Sequence, residues 1–383
     1  MVIPLVKKVL LIRSNHFSPR VIKEAKSIAK GGYDVDLFVW NRNGEDSSKY
    51  HGNEYTVYEY VRPTPLGSFK YFFRWFFWWH SIVRHILKSE YDLVHVCGAD
   101  SFPPVILSKF LRKYSIIYDI FDFFGPSMPE STPNVVRTFF TNVEKFLIRF
   151  ADAVIIVDDS RSTQLTGSKI SKLEVIFNCV PDRLQNIDSN ENIDSNEKVD
   201  PSFTIFYGGM LSKTRGILQL LNAIKDEPDI RLIIAGTGED EKELINLFEG
   251  YNNVRYIGQV SHQESLRLTY MSDVIFGFYD PRIPNNRLAS PNKLFEAMMC
   301  ATPIIVNKET TMADIVEKEN CGLIVPYFDT NALKDALVRL KVNPSLCNDL
   351  GKNGRLAFEK RYNWGIMEKR LLNLYAGLLN LPK

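Results

Sequence analysis

Short runs of branched and aromatic apolar residues alternate with helix-like segments along the whole 383-residue chain, and this alternation restricts the fold more than any other feature. In the first half the runs are Val9-Leu10-Leu11-Ile12, Val35 to Trp40, Leu93-Val94-His95-Val96, Ser115-Ile116-Ile117-Tyr118 and Ala153 to Val157. From Pro19 to Lys30 the apolar residues fall at helical spacing, and Gly31-Gly32 then stops the helix. Strand, helix, strand in series predicts a parallel sheet covered on both faces. A second series runs through Thr204 to Tyr207, Arg231 to Ala235, Val254 to Ile257, Val274 to Gly277, Pro303 to Val306 and Gly322 to Val325. Between the two series Ile-Asp-Ser-Asn-Glu occurs twice from Ile187 to Glu197, a polar stretch expected to be a flexible linker or loop. The expectation is an α/β protein of two doubly wound domains facing each other across a cleft.

Composition narrows the function. A hydrophobic content of 45% is ample for two cores. A formal charge of +2 is too small for nucleic-acid binding by bulk electrostatics, and no zinc or RNA-binding spacing is present. Small molecules are the expected partners. The five cysteines are scattered and mostly set among apolar residues, as reduced thiols of a cytosolic protein would be. The N-terminus lacks signal-peptide order, and no apolar run reaches the roughly 20 residues of a membrane span. A cytoplasmic location is expected.

Three turns follow strands of the second series, where doubly wound sheets bind ligands. Gly208-Gly209 leads to Lys213 and Arg215-Gly216, Gly236-Thr237-Gly238 follows the next strand, and Ser290-Pro291 opens a helix. Serine is a preferred N-cap and proline suits the first helical position, so free backbone N–H groups should point outward from Ser290-Pro291 and attract an anion. Lys293 and Glu296 share one face of that helix, the cation near the expected phosphates and the carboxylate placed to accept ribose hydroxyls. Taken alone, a glycine turn is more often a tight turn than a ligand loop, and the helix also has a blander reading as a capped amphipathic helix with a solvated ion pair. Three such turns on one sheet edge favour a nucleotide site.

The segment from Phe69 to Lys88 carries three of the five tryptophans, Trp75, Trp78 and Trp79, interleaved with Lys70 and Arg74. It fits a helix lying in a lipid interface, with the three tryptophans toward the lipid, or an unusually aromatic buried helix.

Several segments together resemble a known family. They are Ser18-Pro19-Arg20-Val21, Asp92-Leu93-Val94-His95, Tyr118-Asp119-Ile120-Phe121-Asp122, Glu144 through Ile155, and Phe177-Asn178-Cys179-Val180-Pro181. The second half adds Tyr207-Gly208-Gly209 with Arg215-Gly216, Ala235-Gly236-Thr237-Gly238, Ser290 to Met298, and Tyr362-Asn363-Trp364 before a last helix. In order and spacing these are similar to the two-domain GT-B sugar-nucleotide glycosyltransferases of glycosyltransferase family 4. The likeness covers nearly the full length. It implies a GT-B fold with a Rossmann-like acceptor domain over 1–182, a linker over 183–202, a nucleotide-sugar domain over 203–362 and a C-terminal helix over 363–383 packing back on the first domain.

The resemblance also implies roles. Arg215 and Lys213 would neutralise the leaving diphosphate, with Asp122 as the third catalytic candidate. Gly208, Gly209, Gly236, Gly238, Ser290, Pro291, Lys293 and Glu296 would hold a UDP- or GDP-linked donor, with Glu296 on the ribose. His16 and Arg20 would lie on the acceptor side. No metal and no cofactor beyond the donor are expected. The implied reaction retains anomeric configuration and moves a hexose to a glycan or lipid-linked acceptor, with peripheral membrane contact at the inner face through Phe69 to Lys88. The chain departs from the pattern at Leu288, where many members have glutamate, at Met210, where many have arginine, and at Phe121, where histidine is common. Those departures leave two alternatives, a catalytically silent subunit of a glycosylation complex and a GT-B sugar-nucleotide epimerase.

Overall fold

Buried valine, leucine and isoleucine fill the inner strands of both sheets, so those strands cannot face water on either side and helices must cover them. The computed structural model describes residues 6–14, 17–44, 46–63, 70–128, 132–184 and 202–379. The chain divides into two units, Met1–Phe177 with Met367–Lys383, and Asn178–Ile366. The change of unit therefore falls at Phe177 and not at the expected 182, while most of the expected linker lies outside the described residues.

Unit 1 runs β1 (Lys8–Arg13), α1 (Pro19–Lys30), β2 (Asp34–Asn41), β3 (Thr56–Val61), α2 (Lys70–Lys88), β4 (Leu93–Cys97), α3 (Phe102–Lys109), β5 (Ser115–Ile120), α4 (Phe124–Ser127), α5 (Asn134–Leu147), β6 (Ala153–Ile156) and β7 (Leu173–Val175). Its seven strands are all parallel in the order β3-β2-β1-β4-β5-β6-β7. Helix α1 starts with Pro19 in its first turn and ends at Gly31, followed by Gly32 at φ +89°.

Unit 2 runs β8 (Phe203–Gly208), α6 (Ile217–Ile224), β9 (Ile230–Ala235), α7 (Glu241–Phe248), β10 (Val254–Tyr256), α8 (His262–Met271), β11 (Val274–Gly277), α9 (Pro284–Arg287), α10 (Asn292–Met299), β12 (Ile304–Asn307), α11 (Thr311–Glu319), β13 (Gly322–Val325), α12 (Thr330–Lys341) and α13 (Pro344–Lys360). Its parallel sheet has the order β10-β9-β8-β11-β12-β13. Short 3-10 turns complete the connections in both units.

The last helix, α14 (Trp364–Leu379), returns the chain to unit 1. Its Tyr375 is fully buried and its hydroxyl lies 2.7 Å from Nδ1 of His95 on β4. Ser27 of α1 donates to Glu368, and the Phe177 amide donates to the Met367 sulfur.

The tryptophans of α2 do not face outward together. Trp78 is fully buried and donates to Ser101, while Trp79 donates to the Asp100 carbonyl and packs with Trp75 on the unit 1 core. These rings fasten α2 to the sheet, as in the second of the two readings of this helix, and not toward a lipid interface. Among the described residues no helix is long and apolar enough to cross a membrane.

Arg20 is likewise interior. It is 3% exposed, its Nε lies 2.8 Å from Glu24, its Nη2 lies 3.1 Å from Asp119, and its Nη1 donates to the Ile176 carbonyl. Its guanidinium is committed to this cluster, so it is not offered to an acceptor. Burial raises Glu24 to about 7 despite Arg20 beside it, whereas Arg20 and His95 outweigh burial at Asp119 and hold it low. One cation thus serves two buried carboxylates. Glu24, His95, Cys97 and Asp119 offer ligand-type atoms within 4.8 Å of one another, and the positive charge among them is Arg20. Removing it in Arg20→Met should cost about 3–5 kcal/mol of unit 1 stability, because an uncompensated buried carboxylate remains. Urea unfolding followed by tryptophan fluorescence measures this, and an unchanged midpoint would contradict the assignment.

Candidate functional site

In unit 2 the chain winds outward from β8 through β9 to β10, and outward from β11 through β12 to β13 on the other side. The crevice at the carboxyl ends of β8 and β11 is therefore the switch point where an open parallel sheet binds ligands. All three turns singled out in the sequence gather around it.

Two of them interlock. The Gly209 amide donates to Ala235 and the Leu211 amide to Thr237, lacing the turn after β8 to the turn after β9. Gly236 sits at φ +131°, and a Cβ there would run into the Gly209 carbonyl, so close backbone packing requires glycine at this position. A Cβ at Gly238 would meet the Leu211 backbone, and one at Gly208 the Phe206 ring. Gly209, at φ +149°, instead opens onto the Lys293 ammonium, which a Cβ would approach at 3.5 Å. Of the four glycines, Gly209 is the one turned toward the crevice cations, Gly236 and Gly238 hold the two turns together, and Gly208 makes room for the Phe206 ring.

Two cations lie on an aromatic floor. The Arg215 guanidinium sits 4.1 Å from the Tyr279 ring centre and donates to Asn286 Oδ1 at 2.9 Å. Asn286 is itself buried and donates to the Asp280 carbonyl, which fixes the arginine's direction. The Lys293 ammonium lies 4.2 Å from the Tyr207 ring centre and 5.9 Å from that of Tyr279. Lys293 is half-buried as a residue, but its charged end is enclosed. Burial and the Arg215 charge push it down to about 7, with Glu296 opposing only in part. Confining two like charges is costly unless a ligand brings negative charge to them.

Helix α10 begins at Asn292, with Pro291 in the N-cap position and no side-chain cap. Ser290 is therefore one residue too early to cap, which corrects the sequence expectation. The Ser290 hydroxyl and the Asn292 side-chain oxygen are buried without a hydrogen-bond partner among the described residues. Uncapped amides and orphaned polar atoms at one helix start are what an anion would satisfy. One turn on, buried Glu296 lies 2.8 Å from His262 Nε2, and the imidazole holds the carboxylate at the crevice wall.

Other expected residues are placed differently. Lys213 is exposed and pairs with Glu243 of α7 at 2.7 Å, while its backbone amide donates to Asp240, so it does not join Arg215. Lys293 takes that position. Asp122 follows β5 at the carboxyl edge of unit 1, partly exposed, and accepts from Arg161 at 2.9 Å. Phe121 lies beneath the guanidinium groups of Arg13 and Arg20, at 4.4 and 4.8 Å. Met210 is exposed beyond the glycine pair, with Tyr207 donating to its carbonyl. His16 lies outside the described residues. Sequence reading missed Tyr207 and Tyr279 as cation supports and His262 as the partner of Glu296. A tyrosine ending one strand and another just beyond the adjacent strand was the available signal.

Two family models match in succession, Glycosyltransferase Family 4 over residues 20–184 and Glycosyl transferases group 1 over residues 188–357. An uncharacterized glycosyltransferase of Methanocaldococcus jannaschii is 26% identical over 289 residues, covering 74% of this chain and 75% of its own length. A phosphatidyl-myo-inositol mannosyltransferase of Mycobacterium leprae is 26% identical over 175 residues, 45% of each chain. Among solved structures, sucrose-phosphate synthase from Thermosynechococcus elongatus aligns with a TM-score of 0.78 at 20% identity, over 97% of this chain and 99% of its own. HepE of Anabaena in complex with UDP aligns with a TM-score of 0.75 at 15% identity, over 97% and 100%. The doubly wound sheets, the crevice at their switch point and these matches converge on one family, and the chain belongs to the group 1 glycosyltransferases of GT-B fold.

Proposed function

We propose that the protein transfers a hexose from a UDP- or GDP-linked donor to a glycan or lipid-linked acceptor, with retention of configuration and with its own cations in place of a metal. The observation that carries this is the pairing of Arg215 and Lys293 over Tyr207 and Tyr279 beside the uncapped start of α10. Like charges held this close with free helix amides form a seat for a diphosphate. HepE bound to UDP and to UDP-glucose, and the mannosyltransferases among the relatives, support a nucleotide-sugar donor.

In the proposed reaction the bond from the sugar C1 to the diphosphate oxygen breaks as the acceptor oxygen bonds to C1 on the same face. The acceptor proton passes to the departing phosphate oxygen. Arg215, Lys293 and the α10 amides stabilise the charge that develops on the diphosphate, where fixed donors lower the barrier most. Glu296, oriented by His262, binds the ribose hydroxyls. Asp122 is proposed to bind an acceptor hydroxyl, its direction set by Arg161. The assembled set of Arg215, Lys293 and Glu296 favours an active transferase over a silent subunit.

The ribose role predicts that Glu296→Ala weakens binding of the preferred nucleoside diphosphate by about ten- to a hundredfold, the value of a hydrogen bond to a charged group. A thermal-shift panel of UDP, GDP and ADP on both proteins checks this. A response to none of the three would overturn the donor reading.

The Lys293 environment predicts a pH signature. Free, its ammonium titrates near 7, and a bound diphosphate would favour the charged form and raise that value. Binding above about pH 7 must then take up a proton, so affinity should rise as pH falls toward that value, by up to about tenfold per unit. It should level off below about 7, where the free lysine is already charged. Calorimetry in buffers of different ionisation heats would detect the proton uptake. Lys293→Met should bind more weakly and lose the pH dependence, and retention of that dependence in the variant would assign it elsewhere.

A further inference from the structure

The carboxyl ends of β11, β12 and β13 lie side by side at the edge of unit 2 that carries the donor crevice. Between the segments that leave these strands is a cavity of about 650 Å³, a volume typical of small-ligand sites. The crevice residues Arg215, Lys293 and Glu296 do not line it. The stretch from Tyr279 to Arg287 serves both places. Tyr279 and Asn286 hold Arg215 in the crevice, whereas Pro281, Arg282 and Arg287 line the cavity. A ligand in the cavity is therefore one strand along from the donor seat.

A phenylalanine ring stands open in this cavity. Phe328 is 60% exposed, although it directly follows Tyr327, which is buried against Phe278 of the unit 2 core. Tyr327 meets the Phe328 ring edge-on at 4.8 Å, which anchors it. The Arg282 guanidinium lies 4.9 Å from the Phe328 ring centre and is held by Asp280 at 2.6 Å. A lone exposed phenylalanine carries no argument by itself. This one lies inside a cavity rimmed by hydrogen-bonding groups.

Charge identifies the occupant. Arg282 is paired with Asp280, and Arg287 lies 3.7 Å from Glu309, which also lines the cavity. The remaining charged lining residues, Lys308 and Asp329, are of opposite sign. The rim is thus balanced, unlike the crevice, where Arg215 and Lys293 face tyrosine rings. Balance gives an anion no net attraction, but it suits a neutral ligand rich in hydroxyls. Such a ligand accepts from the guanidinium groups and donates to the carboxylates. The C–H groups on one face of a sugar ring carry slight positive charge and pack on the negative face of an aromatic ring. An open phenylalanine within a rim of paired donors and acceptors therefore matches a sugar.

We propose that this cavity is a second carbohydrate site, which stacks a neutral sugar unit on Phe328 and holds its hydroxyls with Arg287 and Glu309. The sugar it takes is a further unit of the acceptor, which is therefore an oligosaccharide gripped by unit 2 at a distance from the bond being formed. Only that last identification rests on the transferase reading above. The carbohydrate site itself stands on the cavity.

The test is saturation-transfer NMR of the full chain with neutral trisaccharides of glucose, mannose and galactose at millimolar concentration, for wild type, Phe328→Ala and Phe328→Tyr. Wild type should bind at least one of them, Phe328→Ala should bind it about tenfold more weakly, and Phe328→Tyr, which keeps the stacking face, should bind it as wild type does. Saturating UDP or GDP should leave the sugar bound. Thermal shifts with the same nucleotides report the donor site separately, so its failure is not mistaken for failure of this one. An unchanged melting midpoint without ligand shows that each variant is folded. The proposal is overturned if no trisaccharide binds, if Phe328→Ala binds equally well, or if Phe328→Tyr loses binding. Displacement of the sugar by UDP or GDP also overturns it, by placing the sugar in the donor crevice. Tighter binding of trigalacturonic acid than of every neutral trisaccharide overturns the assignment to a neutral ligand.

Discussion

Every strand in both sheets runs parallel to its neighbours, so each connection must cross back over the sheet, in most cases through an α-helix, and begin the next strand at the opposite edge. That constraint collects all strand-to-helix turns of a unit at one edge. In unit 2 it brings Lys293 to Gly209 and Arg215 although it lies far along the sequence from both. In unit 1 it sets Asp122 at the same edge as the starts of α2 and α5. The chemistry of the protein follows from where parallel strands must end.

What that edge supplies is electrostatic strain held by packing. Tyrosine rings accept the cations of Arg215 and Lys293 on their faces, a contact that does not neutralise charge as a carboxylate would. The repulsion therefore stays available to an incoming anion. The cluster around Arg20 shows the contrary arrangement, in which Glu24 and Asp119 consume the cation and leave it structural. Position in the packing, and not residue type, separates the two arginines.

Strand and helix order was legible because it is written in local periodicity, and the two-unit parallel architecture followed from it. The strands that sequence reading missed, β3 and β7, are both edge strands. β3 alternates half-exposed with exposed residues, and β7 has only three residues, so neither carries the buried run that marked the others. The glycine turns, Lys293 and Glu296 were visible as motifs. Lys213 and Arg20 were misplaced because a charge has no sequence signature for the partner it will find. Glu243 draws Lys213 outward, and Asp119, nearly a hundred positions away, draws Arg20 inward. Sequence could not choose between the two readings of the Trp78 helix for a similar reason, since the buried partner Ser101 comes from a different segment.

Helix α14 closes the unit 1 core, with Met367, Leu371 and Tyr375 buried, yet it follows unit 2 in the chain. During synthesis unit 1 emerges first, and its missing helix leaves the ribosome only after the whole of unit 2. Until then His95 lacks its tyrosine partner and the surface that α14 will cover is open. Unit 2, continuous in sequence, is under no such delay and can complete its core while unit 1 waits. The first half of the polypeptide is thus the last to become native, and chaperone demand should fall on it.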